Sequence, residues 1–207
     1  MPKTRFVIAA YPRTGCSRLC GVLNSHPSIL CRDEVLHSDA DARALVDDLF
    51  AHDVGHEAVG VTLVHGHAPV LTGELLRDPS VRKIVLRRES RVRVFLSSTR
   101  ATHVGKPIEV DPGELQAFCR QYDQYFAWLD RHLVRQSVLR LSYERLFDRG
   151  EITRVLDFLG VVAAEGSPLE ARPDRRSRHT LREAISNFDE LERRFARTEL
   201  AAELAAA

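Results

Sequence analysis

The stretch Phe6-Val-Ile-Ala-Ala-Tyr-Pro-Arg-Thr-Gly-Cys-Ser-Arg-Leu-Cys20 constrains this chain more than any other. Phe6 to Ala10 is a compact apolar run suited to a buried parallel strand. Pro12 and Gly15 break it, and Leu19, Cys20, Val22 and Leu23 resume at helical spacing. Strand, loop and helix in that order aim orphan amides and the positive end of a helix dipole at one point. Such a point suits a phosphate or sulfate, and Arg13 adds a full positive charge. An ordinary strand-to-helix connection has the same length, so position alone leaves that choice open. Two chemistries of such loops fail on residue identity. A Walker A loop needs G-x-x-x-x-G-K-[ST], but the register here gives Ala10, Gly15, Cys16 and Ser17, with no lysine. A cysteine phosphatase needs an arginine six positions after its nucleophile, and Cys16 meets Val22 while Cys20 meets His26.

Further apolar runs alternate with helical patterns. Ser28 to Cys31 is a second strand, with Asp33, Glu34 and His37 just past its carboxyl end. In open α/β sheets ligands bind at that edge. Ser38 is placed to cap a helix carrying Ala44, Leu45, Leu49 and Phe50. Ala58 to His65 is a third strand, delivering His65 and His67 to the same edge, and Val81 to Arg88 a fourth. Two histidines two apart on extended chain share a face, but no further ligands follow at a metal-binding spacing. Arg88 at a strand end and Ser97 on the helix after it are able to converge on one phosphate, whereas Arg87, Arg91, Arg93 and Arg100 suit a solvated helix face.

Asp111-Pro-Gly-Glu114 is a helix start, and Leu115, Phe118, Cys119, Tyr122, Phe126, Leu129 and Leu133 form the apolar stripe behind it. Ser137 to Ser142 is a fifth strand, Tyr143 opens the turn after it, and Glu151 to Leu159 is a short helix stopped by Gly160. From Val161 to His179 the pattern dissolves into a basic loop holding Arg172, Arg175, Arg176 and Arg178, either disordered or a lid over an anion. Thr180 to Glu183 is a capping box opening a helix with Leu181, Ile185, Phe188 and Leu191. The expected fold is α/β: one domain over residues 1–207, with a mostly parallel central sheet flanked by helices and a frayed end from about residue 200.

Thirty basic against 29 acidic residues leave a net charge of +1, so no global field invites nucleic acid or an acidic membrane, and any anion site is local. Four cysteines without a C-x-x-C pair and no leader-like start predict a soluble cytoplasmic protein without a disulfide framework. The apolar runs are too short to span a bilayer.

Pro12-Arg13-Thr14-Gly15-Cys16-Ser17 resembles the 5′-phosphosulfate loop of sulfotransferases that use 3′-phosphoadenosine 5′-phosphosulfate (PAPS). The similarity continues in order along nearly the whole chain. Arg88 to Ser97 resembles the 3′-phosphate motif, Leu141 to Leu146 the Tyr-Glu-x-Leu segment near the adenine, and His67-Ala-Pro69 the His-x-Pro of cytosolic members. Ser25-His-Pro27 with Glu34, Phe158-Leu-Gly160 and Ile185 to Phe188 are similar to the bacterial carbohydrate branch that includes nodulation-factor enzymes. In this chain Cys16-Ser17 stands for the usual Thr-Thr, Arg13 for Lys, Glu89-Ser90 for Asp-Pro, and Thr62 falls where many relatives carry lysine.

The resemblance implies in-line sulfuryl transfer from PAPS to a hydroxyl of a carbohydrate or other small molecule, with no catalytic metal. It implies a donor site made by Arg13, Thr14, Gly15, Cys16, Ser17 and Arg18, by Arg88 and Ser97, by Tyr143, and by Arg175 and Arg176 if the basic loop is a lid. Arg13 would stabilise the leaving phosphate. His67 is the expected base, with Glu34 orienting it or the acceptor; the bacterial likeness favours Glu34 as base instead. The alternatives are a P-loop kinase or nucleotide hydrolase acting on ATP, and a non-catalytic nucleotide-binding homologue.

Overall fold

Continuous burial along the first apolar run explains the centre of the fold. In β1 (Thr4–Ala10) Phe6, Ile8 and Ala10 face one side of a sheet and Val7 and Ala9 the other, and all five are fully buried. A strand buried on both faces belongs inside a parallel sheet. The computed structural model describes residues 3–33, 39–52, 55–99, 106–146, 148–162 and 180–205. In chain order β1 is followed by α1 (Cys16–Leu23), β2 (Ile29–Arg32), α2 (Asp39–His52), β3 (Ala58–Val64), α3 (Pro69–Arg77), β4 (Val81–Arg87), α4 (Arg91–Thr99) and α5 (Pro112–His132). Then come β5 (Val138–Ser142), a 3₁₀ turn at Tyr143–Arg145, α6 (Arg149–Leu159), α7 (Leu181–Ala184), α8 (Phe188–Phe195) and α9 (Leu200–Ala205).

All five strands are parallel, in the order β2-β3-β1-β4-β5, so β1 sits centrally and its carboxyl end opens between those of β3 and β4. This is the α/β architecture expected from the alternation of apolar runs with helical stripes. The chain divides into two compact units, Met1–Arg88 with Trp128–Arg172, and Glu89–Ala127 with Pro173–Ala207.

The first unit holds the sheet. Its main core joins Phe6, Ile8, Ile84, Leu86, Leu139 and Leu141 from the sheet to Leu19, Cys20 and Leu23 of α1 and Val155, Leu156 and Leu159 of α6. Gly60 on β3 is required by this packing, because a Cβ there would lie 2.5 Å from the Phe6 ring. His26 fastens the α1–β2 turn: its Nδ1 accepts from the Ser28 amide at 3.1 Å, so the proton sits on Nε2, which donates to the Val162 carbonyl at 3.0 Å. Lys83 is fully buried on β4, where its ammonium donates to Gln136 Oε1 at 2.9 Å and to the Asp78 carbonyl, and burial lowers its pKa.

The second unit packs Val92, Phe95 and Leu96 of α4 against Leu115 and Cys119 of α5, and against Leu181, Phe188, Leu191, Leu200 and Leu204 of the carboxyl-terminal helices. Arg91, at the start of α4, is held by Asp123 at 2.5 Å and Glu203 at 2.6 Å; Glu203 also accepts from the Val92 amide at 3.1 Å. Arg91 therefore belongs to an ion-pair network rather than to an open basic face.

Two sequence expectations shift. Helix α2 buries Ala42, Val46 and Leu49, leaving Ala44 exposed and Phe50 half-buried. Of the stripe expected at 44, 45, 49 and 50 only Leu49 is on the burial face, which runs at steps of four and three residues. The helix expected from Thr180 through Leu191 is interrupted after Ala184, because Ile185 leaves the helix to form a parallel bridge with Ile108 and Asn187 donates to the Val110 carbonyl at 3.0 Å. Its capping box is present as read: Thr180 Oγ1 accepts from the Glu183 amide and Glu183 from the Thr180 amide. The proposed cap Ser38 and the basic segment at 172–179 lie outside the described residues.

Candidate active site

The loop between β1 and α1 turns on two residues with positive φ, Arg13 at 69° and Gly15 at 98°. Thr14 is fully buried between them; its hydroxyl donates to the Tyr11 carbonyl at 2.7 Å, fastening the loop to the end of β1. The helical ladder begins with the Arg18 and Leu19 amides, both directed to the Gly15 carbonyl at 3.1 Å. The Cys16 and Ser17 amides precede that ladder, at the positive end of the helix. Cys16 turns its thiol into the core, whereas Arg13 and Ser17 are exposed. Thus the expected loop residues divide by role: Thr14 and Cys16 hold the loop, and Arg13 and Ser17 face outward from it.

Tyr143 ties this loop to the neighbouring strands. Its ring packs on Gly15 so closely that a Cβ there would lie 2.5 Å from Cδ2 and 2.7 Å from Cε2. Its hydroxyl accepts from Arg18 Nη1 at 3.1 Å, and the Arg88 guanidinium carbon stands 4.4 Å from the ring centroid. Arg88 is buried at the carboxyl end of β4, one residue after the strand closes. The cation on the ring face is favourable and fixes the guanidinium plane while the charge remains. Gly15, Arg18, Tyr143 and Arg88, expected from three separate parts of the chain, are therefore in one cluster. The tyrosine's place on Gly15 was not foreseeable from spacing.

On the other side of β1 stand the residues after β3. Tyr11 and His65 stack with ring centroids 5.1 Å apart and planes 19° from parallel. His67 lies two residues on; its amide donates to the Val64 carbonyl at 3.0 Å and its carbonyl accepts from Thr72 Oγ1 at 3.2 Å, at the start of α3. Thr62, at the position where the resemblance suggested a missing lysine, is buried and donates to Asp33 Oδ1 at 3.0 Å. Ser97 is half-buried on α4 and belongs to the second unit. Glu34, Arg175 and Arg176 lie outside the described residues.

No family model matches the sequence. Nodulation protein H of Rhizobium tropici is 26% identical over 223 residues, covering 92% of this chain and 89% of that protein. A mouse sulfotransferase solved with PAP superposes with a TM-score of 0.54 at 13% identity, over 98% of this chain and 87% of that one. The chain shares the fold of solved sulfotransferases. A sulfotransferase from Alicyclobacillus acidocaldarius matches over 98% of this chain and 99% of its own, with a TM-score of 0.51 and 18% identity. The sulfotransferase domain from the curacin biosynthetic pathway covers all of this chain at 13% identity, with a TM-score of 0.50. At those identities the solved structures carry the fold. Within that fold, this chain puts its loop cysteine in the core and a tyrosine on its loop glycine.

Proposed function

We propose that the protein transfers the sulfuryl group of PAPS to a hydroxyl of a carbohydrate or other small-molecule acceptor. The observation that carries this reading is the Tyr143 cluster, which ties an anion loop to a buried arginine at the next strand end through one aromatic ring. A donor bearing phosphate groups at both 5′ and 3′ positions needs two such cationic points, and an ordinary nucleoside diphosphate needs one. Arg13 and the amides at the start of α1 are the group for the 5′-phosphosulfate, where they would stabilise charge developing on the leaving phosphate. Arg88 is the group for the 3′-phosphate. Arg175 and Arg176 are proposed as further donor-binding cations.

Proton removal falls to the carboxyl edge of the sheet near β3, where the resemblance assigns His67, with Glu34 as the orienting carboxylate. Among the described residues no helix is long and apolar enough to cross a membrane. All four cysteines are buried.

The test is thermal denaturation with 3′-phosphoadenosine 5′-phosphate (PAP) against ADP. A ligand at about 100 times its Kd adds roughly 2.7 kcal/mol of apparent stability. PAP should give that shift at concentrations where ADP gives little, and Arg88→Ala should remove the preference. Equal shifts for the two nucleotides would refute the donor assignment.

A further inference from the structure

The turn after β3 carries two histidines, and the fold treats them differently. The register pairs Ala10 with Val64, which sets Tyr11 opposite His65 one step beyond the ladder. The His65 amide donates to the Ala10 carbonyl at 3.0 Å, extending the parallel pairing past the end of β1. The backbone under the His65 ring, in the turn after β3, is therefore tied directly to the end of β1. The ring is held by the Tyr11 face at 5.1 Å, and the side chain stays accessible to solvent. Tyr11 is itself buried and immediately precedes Pro12 and Arg13. His65 thus stands on the first residue of the anion loop. The backbone of His67, by contrast, is built into the start of α3 through Val64 and Thr72.

We propose that His65, oriented by Tyr11, takes the proton of the acceptor hydroxyl in place of His67. This inference rests on the sulfuryl-transfer function above. As the acceptor oxygen bonds to sulfur, the bond from sulfur to the 5′-phosphate oxygen breaks and its electron pair leaves with PAP. The acceptor proton passes to a ring nitrogen of His65, and the imidazolium then releases it to solvent. A base must be neutral before the step and fixed in direction during it. Desolvation of the ring face lowers the pKa of His65, which keeps the ring neutral near pH 7, while desolvation raises that of Tyr11, whose hydroxyl stays protonated and cannot serve instead.

The experiment measures label transfer from sulfur-labelled PAPS to chitobiose, trehalose, para-nitrophenol and water, with the PAP thermal shift recorded on the same samples. His65→Ala should lower kcat at saturating donor by about 10²–10⁴, keep the PAP shift, and recover turnover when imidazole is added. His65→Ala with kcat within about threefold of wild type, or a greater loss in His67→Ala, would overturn the assignment. So would a loss accompanied by a vanished PAP shift, or a loss that imidazole does not restore, because each marks a structural role. A wild-type chain that binds PAP but transfers label to none of the four probes would overturn the base assignment while leaving the donor site standing. Absence of any PAP shift in the wild type would instead bring down the donor reading itself.

Discussion

Replacing Gly15 with alanine should damage the protein through two separable effects. The first is the backbone: with φ at 98° and ψ at 21°, residue 15 sits where a Cβ costs about 1–2 kcal/mol. The second is Tyr143, whose Cδ2 would lie 2.5 Å from the new methyl, so that the ring must move at an overpacking cost of about 1–3 kcal/mol. The sum is about 2–5 kcal/mol. Displacing Tyr143 also disturbs the ring on which Arg88 lies and the hydroxyl that accepts from Arg18. Urea unfolding of the full chain, followed by circular dichroism, reads the stability, and the PAP thermal shift reads the site. In a Tyr143→Ala background the same substitution should cost only the backbone part, about 1–2 kcal/mol. Gly21→Ala is the control: it is an exposed helical position with nothing within 4 Å, and should stabilise by about 0.5–1 kcal/mol. The reasoning fails if Gly15→Ala and Gly21→Ala behave alike, or if the cost at Gly15 is the same with and without Tyr143.

Two further outcomes are expected. Hydrogen bonds from Ser80 hold the Asp78 carboxyl below its usual 3.8, so Asp78 contributes stability above that pH that is lost as pH falls through the lowered value. The stability gap between wild type and Ser80→Ala should therefore narrow on acidification in chemical denaturation series, and a gap that widens below pH 4 would contradict this. For the thiols, burial pushes Cys119 up to about 12, while a hydrogen bond with Cys20 and burial push Cys31 well up. Iodoacetamide at pH 8 should label the native chain only as fast as it unfolds, and rapid labelling of any of the four cysteines would disprove the packing around it.

Much of the fold was legible because its signals are local. Apolar runs bounded by turn residues gave each strand to within a residue or two, and Asp111 and Thr180 both cap the helices expected of them, the Asp111 carboxylate accepting from the Glu114 amide at 2.8 Å. The errors came where tertiary pairing overrides local pattern: Ile185 pairs with Ile108, seventy-seven positions away, and no helical stripe anticipates that. In the site, the anion loop was readable from Pro12, Gly15 and the helix behind them. The partners that give it meaning were not, since Tyr143 on Gly15 and Tyr11 on His65 join residues from different strand ends. Only the strand order β2-β3-β1-β4-β5, which local sequence does not encode, brings those ends beside the loop.

Sulfuryl transfer itself tests the central claim most directly. Purified protein incubated with PAPS labelled in the sulfuryl group and a panel of sugar and phenolic hydroxyl compounds should convert donor to PAP and place the label in a sulfate ester, with Arg13→Ala and Arg88→Ala both strongly impaired. Transfer of the γ-phosphate from labelled ATP under the same conditions, with PAPS left intact, would contradict it.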